Sequence, residues 1–287
     1  MLKIGLSTCG KNPDAAFFDS CAENGIACVE ISPDNDKFDA VDLEGIRRYA
    51  DASGVELWSF HLPFCPFETN DISSRDEDLR KRSVQYLSGF IRKASEIGIR
   101  RFIVHPSAEP IDFEDRIFRI DRSRVSLSEL MDVCEENGAV LCAENLPRTC
   151  LGNSSYEMRE LTRFDKRLRI CLDTNHLLAE YIPDFIRSCG SKIESLHVSD
   201  CDLWNERHWL PGEGKLDWNA VYSALISAKY SGPWLYEVNY RAPASLSRKR
   251  DLTPADFTNN AREIFDGKPL TVLGTPAARP GFWGPEK

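Results

Sequence analysis

The stretch Ile193–Gly214, IESLHVSDCDLWNERHWLPGEG, contains the unit from which the whole chain is built. A short apolar run, Ile193–His197, ends in a histidine. The polar loop that follows places Glu206 and His208 two residues apart and closes on a Pro-Gly-Glu-Gly turn. Imidazoles and carboxylates at this density, on a loop leaving a strand, are what a divalent metal site requires. The alternative is a solvated polar loop with one incidental histidine. Working outward in both directions, the same unit recurs: a short apolar run, a polar loop, then an amphipathic segment.

The apolar runs that read as strands are Lys3–Ser7, Cys28–Ser32, Glu56–His61, Arg101–His105, Val140–Glu144, Arg169–Asp173, Glu194–Val198 and Trp234–Val238. Helical periodicity is expected near 13–24, 40–53, 76–97, 121–137, 154–164, 182–189, 217–229 and 254–265. Asn12-Pro13, Ser53-Gly54, Asn137-Gly138 and Thr253-Pro254 supply start and stop signals. Strands that alternate with helices pair in parallel through right-handed crossovers, and eight of them close a barrel. A doubly wound open sheet is the rival, but no Gly-x-Gly-x-x-Gly or P-loop follows the first strand. The fold class expected is therefore α/β, a single (β/α)8 TIM barrel over residues 1–267. Residues 268–287, KPLTVLGTPAARPGFWGPEK, read as a Pro/Gly-rich C-terminal tail. Two readings of it stand: a loose end, or Phe282 and Trp283 packed on a second copy of the chain in a homo-oligomer.

Composition narrows the function. Of 287 residues, 42% are hydrophobic and 28% charged, an ordinary globular balance with enough length for a large core. The net charge of -9 argues against a nonspecific electrostatic grip on DNA or an anionic membrane. No apolar run is long enough to cross a bilayer. The chain enters MLKIGLST, a strand pattern, without the signature of a secretory leader, so a cytoplasmic location is expected. The ten cysteines include no C-x-x-C pair. Cys28, Cys142 and Cys171 fall in strands and Cys21, Cys134 and Cys189 in helices, which suits reduced thiols acting as small hydrophobes.

In a (β/α)8 barrel, chemistry sits at the carboxyl ends of the strands. Strand three ends in His61, strand four in His105 and strand five in Glu144. Strand six ends in Asp173, with His176 three residues on. Strand seven delivers His197, then Glu206 and His208, and strand eight carries Glu237. All five histidines of the chain belong to this set, which chance placement does not readily produce. Mixed imidazole and carboxylate ligation suits Zn²⁺, Mn²⁺, Co²⁺ or Fe²⁺ and disfavours Ca²⁺. Nine ligands exceed what one ion takes. Either two or three ions bind, or some of the nine bind substrate. Arg148 and Arg207 are candidates to hold a carboxylate or phosphate, with a solvated or ion-paired arginine as the alternative. Trp58, Phe64, Phe67 and Trp209 are candidates for an aromatic wall, although Trp58, inside a strand, reads better as core. Glu30 is a candidate substrate hydrogen-bond partner.

Through SFHLPF at His61, VHPS at His105, AEN at Glu144, LDTNH at Asp173–His176, LHVSD at His197, ERHWLPGEG at Glu206–Gly214 and YEV at Glu237, the chain resembles the xylose isomerase-like barrel superfamily. That superfamily includes sugar phosphate isomerases and epimerases, and also endonuclease IV. Similarity to ketose 3-epimerases implies Glu144, Asp173, His197 and Glu237 around one divalent ion. It also implies Glu144 and Glu237 as the catalytic acid and base, and His176 as a substrate contact. Where those epimerases carry a substrate-binding arginine, this chain has His208, with Arg207 displaced by one; Trp209 and Arg148 complete the expected substrate contacts. Similarity to endonuclease IV implies instead a three-metal site of His61, His105, Glu144, Asp173, His176, His197, Glu206, His208 and Glu237, with Glu206 where that family has Asp. ENLPRTC stands where that family has ENTAGQG.

Rim charge separates the two. A DNA enzyme needs Lys and Arg facing the phosphates. The loop after strand two holds Asp34, Asp36 and Asp39 against Lys37. The next has Glu68 and Asp71, and the loop after strand four Glu109, Asp112, Glu114 and Asp115. The expectation is a divalent-metal-dependent (zinc or manganese, one to three ions) sugar or sugar phosphate isomerase or epimerase acting through an enediolate. Abasic-site DNA cleavage, or a dehydratase or lyase on the same scaffold, is the alternative.

Overall fold

The structure is a computed structural model, and it describes residues 1–277; Phe282 and Trp283 lie outside the described residues. Eight strands form one parallel sheet: β1 (Ile4–Ser7), β2 (Cys28–Ile31), β3 (Glu56–His61), β4 (Arg101–Val104), β5 (Val140–Glu144), β6 (Arg169–Asp173), β7 (Ile193–His197) and β8 (Trp234–Tyr236). The spatial order β7-β6-β5-β4-β3-β2-β1-β8 leaves β7 and β8 at the ends. A parallel bridge between Val198 and Tyr236 joins those ends, with the Val198 amide donating to Leu235 O at 2.8 Å. The sheet is thereby closed into a (β/α)8 barrel, as the strand count required.

The helices follow the strands in turn: α1 (Ala15–Glu23), α2 (Leu43–Ser53), α3 (Glu77–Glu96), α4 (Arg116–Glu136), α5 (Ser155–Thr162), α6 (Ile182–Cys189), α7 (Trp218–Ser227) and α8 (Pro254–Phe265). Side-chain oxygens of Asp14, Asp42, Asp76, Ser154 and Asp217 cap helix N-termini, satisfying amides that have no partner within the helix. Thr253 and Asp256 form a capping box ahead of α8, and Gly54 ends α2 in the left-handed conformation that glycine adopts without steric cost. Helix α4 starts five residues before the expected boundary. Its start is weakly patterned because Phe113, just before the helix, and Ile117, in its first turn, point outward, 88% and 78% exposed, while Arg116 binds Glu157 and the carbonyls of Thr149 and Cys150.

Two layers of side chains fill the molecule. The larger lies between sheet and helices, where Phe38, Phe60 and Phe90 meet at ring distances of 5.6–6.1 Å. Removing a buried phenylalanine such as Phe60 costs about 3–5 kcal/mol. The smaller groups are Cys28 with Trp58 and Leu235, and Ile103 with Cys142 and Cys171, from the opposite face of the strands. Small thiols on several strands leave room inside the barrel for Trp58, whose indole N–H donates to Ser195 Oγ at 3.2 Å. All ten cysteines are free. Register shifts at Val29/Glu30 and Ile170/Cys171 align Glu30 with Ser59 and Cys171 with Ser195. Beyond the barrel, Gly274–Pro276 pairs antiparallel with Leu246–Arg248, so this part of the tail is hydrogen-bonded to the loop after β8.

Candidate metal centre

Strand ends deliver the innermost group. Glu144 ends β5, Asp173 ends β6, His197 ends β7 and Glu237 follows β8, and each offers a ligand atom within 4.8 Å of the others. His197 Nδ1 lies 3.0 Å from Glu144 Oε1 and 3.3 Å from Glu237 Oε2. Asn145 ties the ends of β5 and β6 together, its side chain accepting from the Asp173 amide and donating to the Asp173 carbonyl. Asp173 is fully buried, and its Oδ2 has no hydrogen-bond partner. A buried carboxylate oxygen with no hydrogen bond, facing two glutamates and with only the His176 imidazole paired to it at 3.4 Å, is costly unless a cation joins it. The donor set therefore fits a divalent ion bound by nitrogen and oxygen.

Two further imidazoles approach Glu144 from its other oxygen. His61 Nε2 lies 3.2 Å and His105 Nε2 3.1 Å from Glu144 Oε2. His61 Nδ1 donates to the Leu62 carbonyl at 2.9 Å, which leaves Nε2 as the lone-pair nitrogen when the ring is neutral. The His105 ring stacks on Phe64 at 4.3 Å.

A third group stands on loops. His176, Glu206 and His208 again bring ligand atoms within 4.8 Å of one another. His176 Nε2 is 3.1 Å from Glu206 Oε2, and its Nδ1 contacts the Asn145 carbonyl at 2.9 Å. His208 has a φ of 48° and Arg148 a φ of 51°, a conformation that side-chain-bearing residues adopt at a cost. Asn175 helps hold the strained turn by accepting the amides of Arg207 and His208. Arg148 points back across the rim, where Glu109 takes it in two hydrogen bonds and Glu206 Oε1 pairs with it at 2.9 Å.

A cavity of about 600 Å³ opens over these groups, lined among others by His61, His105, Glu144, His176, Glu206, His208, Glu237, Arg148, Phe64 and Phe67. Two expected substrate contacts are not among its lining. Arg207 is buried beneath the loop against Asp202, and Trp209 is buried with its N–H on Ser245 Oγ at 3.2 Å. Their backbone runs along the loop that pairs Asp200 with Trp209, and this turns both side chains into the protein. Glu30, read from sequence as a substrate partner, is also fully buried and faces His197 rather than the cavity. The acidic rim is in part neutralised: Glu109 pairs with Arg148, Asp115 with Arg75, and Asp71 is buried against Arg119. Residue counts along a loop miss such pairings, because they depend on which loops meet.

The electrostatics are those of a crowded anionic cluster. Burial raises the Asp173 carboxyl to about 7, and the neighbouring Glu144 and Glu237 charges add to the rise. Burial opposes the charged form of His176, but Asp173 and Glu206 outweigh it and hold its pKa near 10. Burial also opposes ionisation of Glu144 and Glu237; nearby imidazoles, His197 foremost, prevail and keep both carboxyls below their usual range. Without an ion, protons on imidazoles supply the positive charge that the carboxylates demand, so an ion bound there would displace protons.

Fold and rim together define a (β/α)8 barrel with a carboxylate–imidazole centre at the carboxyl ends of its strands. A family profile described as xylose isomerase-like TIM barrel matches residues 18–256, and the chain belongs to that family. Among curated relatives, it is 25% identical to the D-psicose 3-epimerase of Ruminiclostridium cellulolyticum over 86% of this chain and 85% of that protein. It is 26% identical to the probable endonuclease 4 of Thermoplasma acidophilum over 60% of this chain and 62% of that one. The crystal structure of a D-tagatose 3-epimerase-like protein superposes with a TM-score of 0.72 at 21% identity, covering 92% of this chain and 97% of the other.

Proposed function

We propose that this chain is a divalent-metal-dependent sugar isomerase or epimerase that moves a proton on the carbon beside a ketose carbonyl. The observation that carries the reading is the convergence of Glu144 and Glu237 on His197 Nδ1, at 3.0 and 3.3 Å, from β5 and β8 on separate parts of the barrel wall. Two carboxylates entering one cavity from different strands can serve as base and acid on one substrate carbon. A divalent ion held by Glu144, Asp173, His197 and Glu237, zinc or manganese, would polarise the carbonyl and stabilise the enediolate. His176 and His208 stand where they can donate to sugar hydroxyls, and Phe64 and Phe67 offer an apolar wall. The similarity to the D-psicose 3-epimerase supports the same chemistry. Free thiols suit a reducing compartment such as the cytoplasm. The test is a ketose panel incubated in D₂O, with exchange into carbon-bound positions read by mass spectrometry. Exchange on none of the sugars would defeat the reading.

A second reading has its own observation. His61 and His105 on Glu144, together with His176, Glu206 and His208, complete the nine-residue set of a three-ion site, which suits phosphodiester cleavage at abasic DNA. The net charge of -9 and an Arg148 already paired with two glutamates weigh against a polyanion. A dehydratase or lyase would begin with the same proton abstraction and would differ only in the product.

A further inference from the structure

We infer that Glu30, which never reaches the cavity, is a positioning residue that fixes which nitrogen of His197 faces the metal centre. The inference rests on the metal-dependent reading above. His197 is fully buried, and its two nitrogens point opposite ways. Nδ1 meets Glu144 and Glu237, whereas Nε2 faces Glu30 Oε1 at 2.9 Å. Neither Nε2 nor Glu30 Oε1 has a hydrogen-bond partner elsewhere among the described residues. The other Glu30 oxygen is taken by Ser59 Oγ, which donates to Oε2 at 2.7 Å. The register shift between Val29 and Glu30 is what sets Glu30 opposite Ser59.

Charge makes this placement informative. Glu144, Asp173 and Glu237 already crowd the far side of His197, so a fourth fully buried carboxylate would be expelled unless the imidazole rewarded it. A proton on Nε2 shared with Glu30 does so. It holds the ring in the tautomer whose Nδ1 lone pair points at the centre, and it raises the basicity of that nitrogen. Ser59 in turn stops the carboxylate from rotating. The chain Ser59–Glu30–His197 thus reaches the centre from behind, through β3, β2 and β7.

The experiment is a Zn²⁺ titration of the full chain after chelation, by calorimetry, with ¹⁵N NMR of histidine-labelled protein. In the Zn²⁺-loaded wild type, His197 should show a protonated Nε2 and a ligated Nδ1. Glu30→Ala should weaken Zn²⁺ binding by about 100-fold and Glu30→Gln, which keeps an acceptor and the volume, by about tenfold. Ser59→Ala should weaken it less than either. Circular dichroism confirms that the variants compared are folded, and Glu30→Gln alone suffices if the alanine variant is not. Wild-type affinity in Glu30→Gln, or ligation through Nε2, would overturn the inference while leaving the metal centre standing. Failure of the wild type to bind Zn²⁺ would instead overturn the reading on which it rests.

Discussion

Two of the ligand groups differ in how they are held. Glu144, Asp173 and His197 end barrel strands, Glu237 follows one directly, and all four are buried. His176, Glu206 and His208 ride on loops; His208 is about a quarter exposed and sits on a strained backbone. Strand ends are fixed by ladder hydrogen bonds and by barrel closure, so the inner group is rigid. Loop residues are fixed by side-chain clasps: Asn175 beneath the turn, and Arg148 between Glu109 and Glu206. The lesson, on the proposed function, is that the inner group would set the chemistry, while the outer group could be tuned for substrate or for additional ions without rebuilding the barrel.

The largest effect should come from the inner group. Glu144→Gln and Glu237→Gln should each lower proton exchange by about 10²–10⁴-fold with folding retained, read as deuterium incorporation per unit time. Equal exchange in either variant would remove that glutamate from the chemistry. Next, Arg148→Met leaves Glu109 and Glu206 facing each other with their guanidinium gone. It should cost about 3 kcal/mol in urea unfolding, the scale for breaking a largely buried pair. A loss near zero would show that the outer clasp is dispensable.

A smaller change separates the groups directly. His208→Ala should leave the bound metal unchanged, as measured by elemental analysis after dialysis, and raise the KM for the sugar. Loss of about one equivalent of metal would make the outer group a second ion site instead. The smallest effect concerns pH and applies to the metal-free protein. His176 has its pKa raised from 6.5 to about 10, so its stabilisation is full below about 6.5 and lost as pH rises through 10. Asp173, raised from 3.8 to about 7, favours the folded state at low pH and loses that contribution as pH climbs to 7. The melting temperature should therefore fall between pH 6.5 and 10. His176→Asn should flatten the fall, and an unchanged slope would contradict the assignment.

The inner group was legible in the sequence because the strand period places it. An apolar run with His, Glu or Asp at or beside its end, repeated from β3 to β8, puts those side chains on one rim whatever the loops do. The expected barrel over residues 1–267 follows from the same repetition. Loop geometry was not legible in this way. Arg207 and Trp209 lie between or beside ligand-type residues in the chain, yet the pairing of Asp200 with Trp209 turns them inward. Glu30 sits on a strand whose register shift appears only once β2 and β3 are paired. Arg148 reads as an anion-binding residue until Glu109 and Glu206, from two other loops, are seen to occupy it.

The most direct test of proton transfer at this centre is deuterium exchange by the metal-loaded protein on an unphosphorylated ketohexose, run beside Glu144→Gln and beside a duplex bearing an abasic site. Deuterium should enter the carbon next to the carbonyl in the wild type, fall with Glu144→Gln, and be accompanied by no nicking. No exchange, together with nicking that Glu144→Gln abolishes, would contradict it.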